Sequence, residues 1–248
     1  MVTVYIYIVI ISFIATLVRS TFGFGESLVA VPLFSLFIPI GVAVPLSVLM
    51  SLLVALMVVI QDHKQIHISS AKWLIIFAAL GIPIGLLALV YGNEFWVKTC
   101  LGILIILYSL YMMLGRSTFH LEKDNKLWLF ICGFLSGVFG GAYGLNGPPL
   151  VVYGNMRRWS AKDFRATLQG YFMPASFIGI LGYVFKGLVT MEVLKYFLVS
   201  LPAVVPAVYL GRYFNHRLKD GSFFRYVYFG LLCIGIALIV FCIFDVRS

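Results

Sequence analysis

The chain has 248 residues, 62% hydrophobic and 11% charged, with mean hydropathy +1.05 and a formal net charge of +9. No soluble domain of this size hides so much apolar surface, which leaves an all-α or β-barrel membrane protein. The charge does not point to nucleic acid, because the basic residues are scattered through short loops, as in loops that face anionic lipid.

Runs of about 20 residues are long enough to cross a hydrocarbon core about 30 Å thick as helices. They fall at 2–20, 42–60, 73–90, 95–114, 127–145, 166–185, 191–210 and 223–244. The short alternating strands of a β-barrel are absent, so the expected class is all-α and polytopic. The N-terminus has neither a basic n-region nor a small-residue cleavage site, and 2–20 reads as a retained helix.

The first run ends in a glycine-rich break, Arg19-Ser20-Thr21-Phe22-Gly23-Phe24-Gly25-Glu26. A short apolar helix over 27–38 follows, closed by the uncharged turn Pro39-Ile40-Gly41. Then come the crossing 42–60, a polar loop from Gln61 to His67, and the crossings 73–90 and 95–114. The linker 115–126 divides the chain. The second half repeats this order: 127–145, a break from Gly140 to Pro149, a short helix from Leu150 to Met156, and three further crossings. Glycine and Pro-Pro suit uninterrupted helix poorly, and in lipid the polar backbone they free must meet protein or a water-filled cavity. The expected organisation is one membrane domain with repeat 1 at 1–114 and repeat 2 at 127–248.

Each break with its flanking segments counts as an even crossing. Loops 61–72, 115–126, 155–165 and 211–225 then share one side and carry most of the 18 Lys and Arg residues. Only Lys98, Lys186, Lys195 and Arg247 fall opposite, with Arg19 at a hairpin tip. The positive-inside rule puts the basic loops in the cytoplasm and both termini on the periplasmic or extracellular side. The two halves then have inverted topology, an architecture of secondary transporters with the site near the repeat interface.

The residues resemble the sulfite exporter TauE/SafE family of bacterial membrane transporters. The first half has the glycine-rich turn, Leu28-Val29-Ala30-Val31-Pro32-Leu33 and Ala43-Val44-Pro45-Leu46-Ser47. The second has Ser136-Gly137 through Gly147-Pro148-Pro149-Leu150, then Arg165-Ala166-Thr167-Leu168-Gln169 and Leu210-Gly211-Arg212. The chain departs from the family pattern at Gly23-Phe24-Gly25-Glu26, where a run of glycines is common, and at Leu46-Ser47, where the family has Thr-Ser. The resemblance implies a multi-pass exporter of sulfite, organosulfonates or related small anions in a bacterial inner membrane. Alternatives are an anion channel, or an uptake carrier for another small carboxylate or sulfur anion.

Arg19 and Glu26 flank the first break, and an ionisable residue at membrane depth is a functional candidate by default. Arg19 either forks an oxyanion, with Glu26 as resting partner or proton carrier, or snorkels to the headgroups. Glu26 alternatively caps the short helix. Gly25 and Gly147 sit where the short helices begin, near Ser27 and Leu150, and helix starts attract anions. Ser20, Thr21 and Asn146 are neutral donors there, or turn and cap residues. Ser47 and Gln169 hold matching positions after each break and either meet substrate or make helix–helix contacts. Arg165 reads as a loop cation that draws anions to the inner opening.

Tyr143 and Tyr171 are cavity or packing residues. His63 and His67 have i,i+4 spacing without an acidic or cysteine partner beyond Asp62, and read as a solvated loop. Cys100, Cys132, Cys233 and Cys242 lie in apolar runs without CxxC spacing, as packing residues. No metal or cofactor is expected, and without a GxxxxGK[ST] loop ATP does not drive this chain. An enzyme is disfavoured because all four histidines fall in polar loops away from the breaks. The implied partners are a small anionic substrate and the lipid bilayer, with a homodimer as an open arrangement.

Overall fold

A computed structural model describes residues 2–62, 68–114, 120–159, 161–217 and 221–245. Among them the secondary structure is helical throughout. The helices are α1 (Val2–Phe22), α2 (Glu26–Phe34), α3 (Ile40–Asp62), α4 (Ile68–Tyr91), α5 (Glu94–Leu114), α6 (Lys126–Tyr143), α7 (Gly147–Met156), α8 (Ala161–Phe185), α9 (Met191–Arg217) and α10 (Gly221–Asp245). Seven of them are long and apolar enough, among the described residues, to cross a membrane. The chain is a multi-pass membrane protein. His63 and His67 lie outside the described residues.

The breaks are set by local backbone chemistry. Gly144 ends α6 in the left-handed region (φ +68°), its N–H donating to the Gly140 carbonyl and that of Leu145 to the Phe139 carbonyl. This double closure is the Schellman stop, which a residue with a Cβ enters only with strain. Gly23 does the corresponding job at the end of α1, at φ +84° with its N–H donating to the Arg19 carbonyl, and Gly25 leads into α2 at φ +99°. Helix α7 starts at Gly147, earlier than the Leu150 read from apolarity, because proline is tolerated at the first helical positions, where no intrahelical N–H is needed.

Glycines fix how closely α4 and α6 approach. A Cβ at Gly81 or Gly85 would run into the carbonyl of Phe134 or Val138, and one at Gly137 or Gly141 into the carbonyl of Ala78 or Ile82. Small residues at a spacing of four let two backbones touch where lipid gives no hydrophobic drive. Helix α1 likewise packs on α9, with Gly211 against Ser20 and Leu17.

Directions follow from residue pairs. Leu74, Ala78 and Ile82 of α4 meet Gly133, Gly137 and Gly141 of α6, so these helices run parallel. Tyr5 meets Tyr196 and Ser20 meets Gly211, so α1 and α9 are parallel too. Helices α3 and α8 run antiparallel, with Val48 near Gly179 and Ser51 near Ser176. So do α5 and α10, where Gly102 faces Ile239 and Gly235 faces Ile106. Exchanging α1–α5 with α6–α10 in order maps α1–α9 onto α6–α4 and α3–α9 onto α8–α4, and each self-paired set, α3–α8 and α5–α10, is antiparallel. That pattern is consistent with two inverted repeats.

Three of the four basic segments share one end of the bundle. Asp124, in the linker, accepts hydrogen bonds from Ser70 at the start of α4 (2.8 Å), Tyr153 of α7 (2.8 Å) and Arg157 Nε just after α7 (3.1 Å). The Leu121 N–H donates to the Met156 carbonyl at 2.9 Å.

Candidate functional site

Arg19 lies in the last turn of α1 and is only 2% exposed, as is Glu26 at the start of α2. The left-handed turn at Gly25 folds α2 back beside α1 and sets the two side chains together. Arg19 Nη1 and Glu26 Oε2 form an ion pair at 2.5 Å. Thr16, on the same face of α1 as Arg19, donates to Glu26 Oε1 at 3.3 Å. The snorkelling alternative is therefore excluded by burial: the guanidinium is held inside the protein by a carboxylate.

Further donors and acceptors converge from the other helices. Arg19 Nη1 also donates to Ser51 Oγ of α3 (2.5 Å), and Nη2 donates to Gln169 Oε1 of α8 (3.1 Å). Gln169 Nε2 in turn donates to the Gly23 carbonyl at 2.8 Å, which satisfies a carbonyl that the end of α1 leaves without a helical partner. The Phe172 ring lies over the guanidinium at 5.1 Å, a cation–π contact. Arg19 Nε makes no hydrogen bond within the described protein. A charge withdrawn from water survives when it is paired and hydrogen-bonded on several sides, and Arg19 is so held while its Nε–H stays in reserve.

The two breaks adjoin here. A small cavity is lined by Arg19, Phe24, Gly25, Glu26, Ser27, Leu28 and Ser51 on one side and Gly144, Leu145, Asn146, Gly147, Pro148 and Phe172 on the other. A Cβ at Gly147 would rest 3.7 Å from Phe24, and one at Gly144 would come within 3.3 Å of Ser27 Oγ. Asn146 is 6% exposed, and its Oδ1 finds no hydrogen-bond partner within the described protein. The chemistry on offer is one guanidinium paired with a carboxylate, the Ser27 and Ser51 hydroxyls and two helix starts. Helix α7 offers fewer amides than a usual helix start, because Pro148 and Pro149 have no N–H.

The residues expected from sequence divide clearly. Arg19, Gly25, Glu26, Asn146 and Gly147 line the cavity, and Gln169 meets it through Arg19. Ser47 stands one shell back, donating at 3.0 Å to Ser27 Oγ. Ser20 is buried where α1 meets α9, and Thr21 donates to the Leu17 carbonyl at 2.7 Å; neither lines the cavity. Arg165 lies on α8, with its side chain outside the described residues. Tyr171 exchanges a hydrogen bond with Ser136 at 2.8 Å, and Tyr143 is buried away from the cavity, so both serve packing.

Sequence reading missed Thr16, Ser27, Ser51 and Phe172. Ser51 follows Ser47 at i,i+4, a polar stripe on an otherwise apolar helix that was available as a signal. Phe172 had none, because an aromatic ring in this chain is too common to stand out.

A family model described as sulfite exporter TauE/SafE matches residues 8–238. No curated protein and no solved structure matches the chain. Since that match takes in both broken hairpins and runs from within α1 into α10, the chain belongs to the TauE/SafE sulfite exporter family of membrane transporters.

Proposed function

We propose that this protein is a secondary transporter that exports a small anion, sulfite or an organosulfonate, by alternating access across a bacterial inner membrane. The observation that carries the reading is the buried guanidinium of Arg19 beside a cavity built from both breaks. A guanidinium matches an oxyanion through paired N–H donors, and burial away from bulk water makes each such bond count for more. The inverted arrangement supplies the moving parts, with one half rocking against the other around a shared centre. In this reading the repeats are 1–114 and 127–248, the basic loops face the cytoplasm, and both termini face the periplasm.

The site residues are Arg19, Gly25, Glu26, Asn146, Gly147 and Gln169, with Ser20, Thr21 and Ser47 supporting the first hairpin and its neighbours and Arg165 drawing anions to the inner opening. The test is a thermal-shift panel on purified protein with sulfite, taurine, sulfoacetate, sulfate, thiosulfate and lactate. A ligand that binds the native state stabilises it by mass action, about 2.7 kcal/mol at a hundredfold excess over Kd. Stabilisation by sulfite or a sulfonate, with saturable flux and counter-exchange in proteoliposomes, is the expected result. A linear conductance would make the protein a pore, and lactate as the sole hit would reassign the substrate.

A further inference from the structure

The charges at the site sum to zero at rest: Arg19 is positive and Glu26 negative, both 2% exposed and paired at 2.5 Å. Among the described residues the partners of the Glu26 carboxylate are Arg19 and Thr16. Ser51 of α3 and Gln169 of α8 reach the guanidinium and carry no charge. Helix α5, which also packs on α2, brings Tyr108, Tyr111 and Lys98, but Lys98 is held by Glu94 at 3.0 Å. Among its described side chains, helix α10 brings Cys233 and Cys242. Among the described residues that line the cavity, Arg19 is the one cation.

An anion can reach Arg19 in two ways: through the unpartnered Nε edge, or by displacing Glu26 from Nη1. In both, two anionic groups come to share one cation in a place from which water is largely excluded. Such a pair does not keep both charges at low cost, and one member takes a proton. A small sulfonate is too weak a base to be that member, whereas a carboxyl group accepts the proton readily.

We propose that Glu26 is a tethered counter-ion that becomes protonated as the anion binds Arg19, so that each monoanion is carried together with one proton and the cycle is electroneutral. This rests on the transport reading above and deepens it. The proton enters as the Glu26 carboxylate gives up its ion pair, forming the neutral carboxyl, and leaves when that ion pair re-forms behind the departing anion. Net direction then follows the combined anion and pH gradients, and export requires an internal anion excess larger than the opposing pH gradient. A single guanidinium balanced in this way selects monoanions over dianions such as sulfate.

The experiment uses the full chain with methanesulfonate, a permanently ionised monoanion that does not leak as a neutral acid. In weakly buffered detergent solution, binding should take up one proton per anion. In proteoliposomes the equilibrium accumulation ratio should change about tenfold per unit of imposed pH difference and stay constant under a potassium–valinomycin potential. Glu26→Gln keeps a neutral hydrogen-bonding group; its accumulation ratio should lose the pH dependence and change up to about fiftyfold per about 100 mV, as for one uncompensated charge. Wild-type flux that follows voltage and ignores pH would overturn the coupling and leave the transporter reading standing. If methanesulfonate neither binds nor moves while the folded protein carries sulfite, the coupling is judged on sulfite by proton uptake in detergent, and its absence there overturns it. Absence of binding and flux for both anions overturns the transport reading and this inference with it.

Discussion

The two broken hairpins share a plan and differ in chemistry. In α1–α2 the turn holds a buried ion pair, and Arg19 and Glu26 stand on either side of Gly25. In α6–α7 the turn carries no charge, and the position that matches Arg19, counted from Gly147, is Gly141. A side chain there would strike the Ile82 carbonyl of α4. One hairpin therefore contributes charge, and the other contributes close backbone packing. The difference teaches that a repeated order of elements need not repeat its chemistry: a buried guanidinium costs desolvation, and a second one at this position would meet the α4 backbone and not a carboxylate.

The largest expected effect breaks the charged side. Arg19→Ala leaves Glu26 buried without its counter-ion, and should lower stability by about 3–5 kcal/mol and weaken anion binding at least about a hundredfold. Denaturation in mixed detergent and the thermal-shift panel read the two effects. Adding Glu26→Gln should recover much of the stability and none of the binding, because the uncompensated charge is then gone. Full binding in Arg19→Ala would move the site elsewhere.

On the uncharged side the expected loss is of packing alone. Gly137→Ala places a methyl against the Ala78 carbonyl and backbone, forcing α4 and α6 apart at a cost of about 1–3 kcal/mol. Affinity for the anion, measured on the folded fraction, should stay within about threefold of wild type. A larger fall would mean that the glycine seam also shapes the cavity.

The remaining effects lie where the hairpins meet, and the smallest is at Asn146. Gln169→Ala removes partners from both Arg19 and the Gly23 carbonyl, and should cost about 1–3 kcal/mol with a weakening of binding by about tenfold. Asn146→Ala removes an oxygen that bonds nothing in the described protein, so stability should move by less than about 1 kcal/mol. If Asn146→Ala nonetheless weakens binding in proteoliposomes, the neutral hairpin also contacts the anion, and the contrast between the two sides narrows.

The crossings were legible because a helix in lipid satisfies its own backbone, so about 20 apolar residues suffice to mark one. The breaks were legible because Gly144 and Gly25 need left-handed backbone and Pro148-Pro149 stop a helix from running through. The helix starts were less so. Apolar content alone put the third crossing at 73–90, whereas α4 begins at Ile68, its first turn polar and tied to the linker through Ser70. The Gly133–Gly137–Gly141 and Gly81–Gly85 spacings were in plain view, but spacing by itself does not say which helix a glycine seam meets.

From the sequence alone come the membrane class, the repeated order of elements and the candidacy of Arg19 and Glu26, since each rests on local composition or on the cost of charge in lipid. The tertiary structure alone decides that Arg19 is turned inward onto Glu26, that Ser51, Gln169 and Phe172 complete its surroundings, and that both breaks border one cavity. Those facts depend on contacts between residues far apart in the chain, and helices that bury their own hydrogen bonds carry no local record of their neighbours.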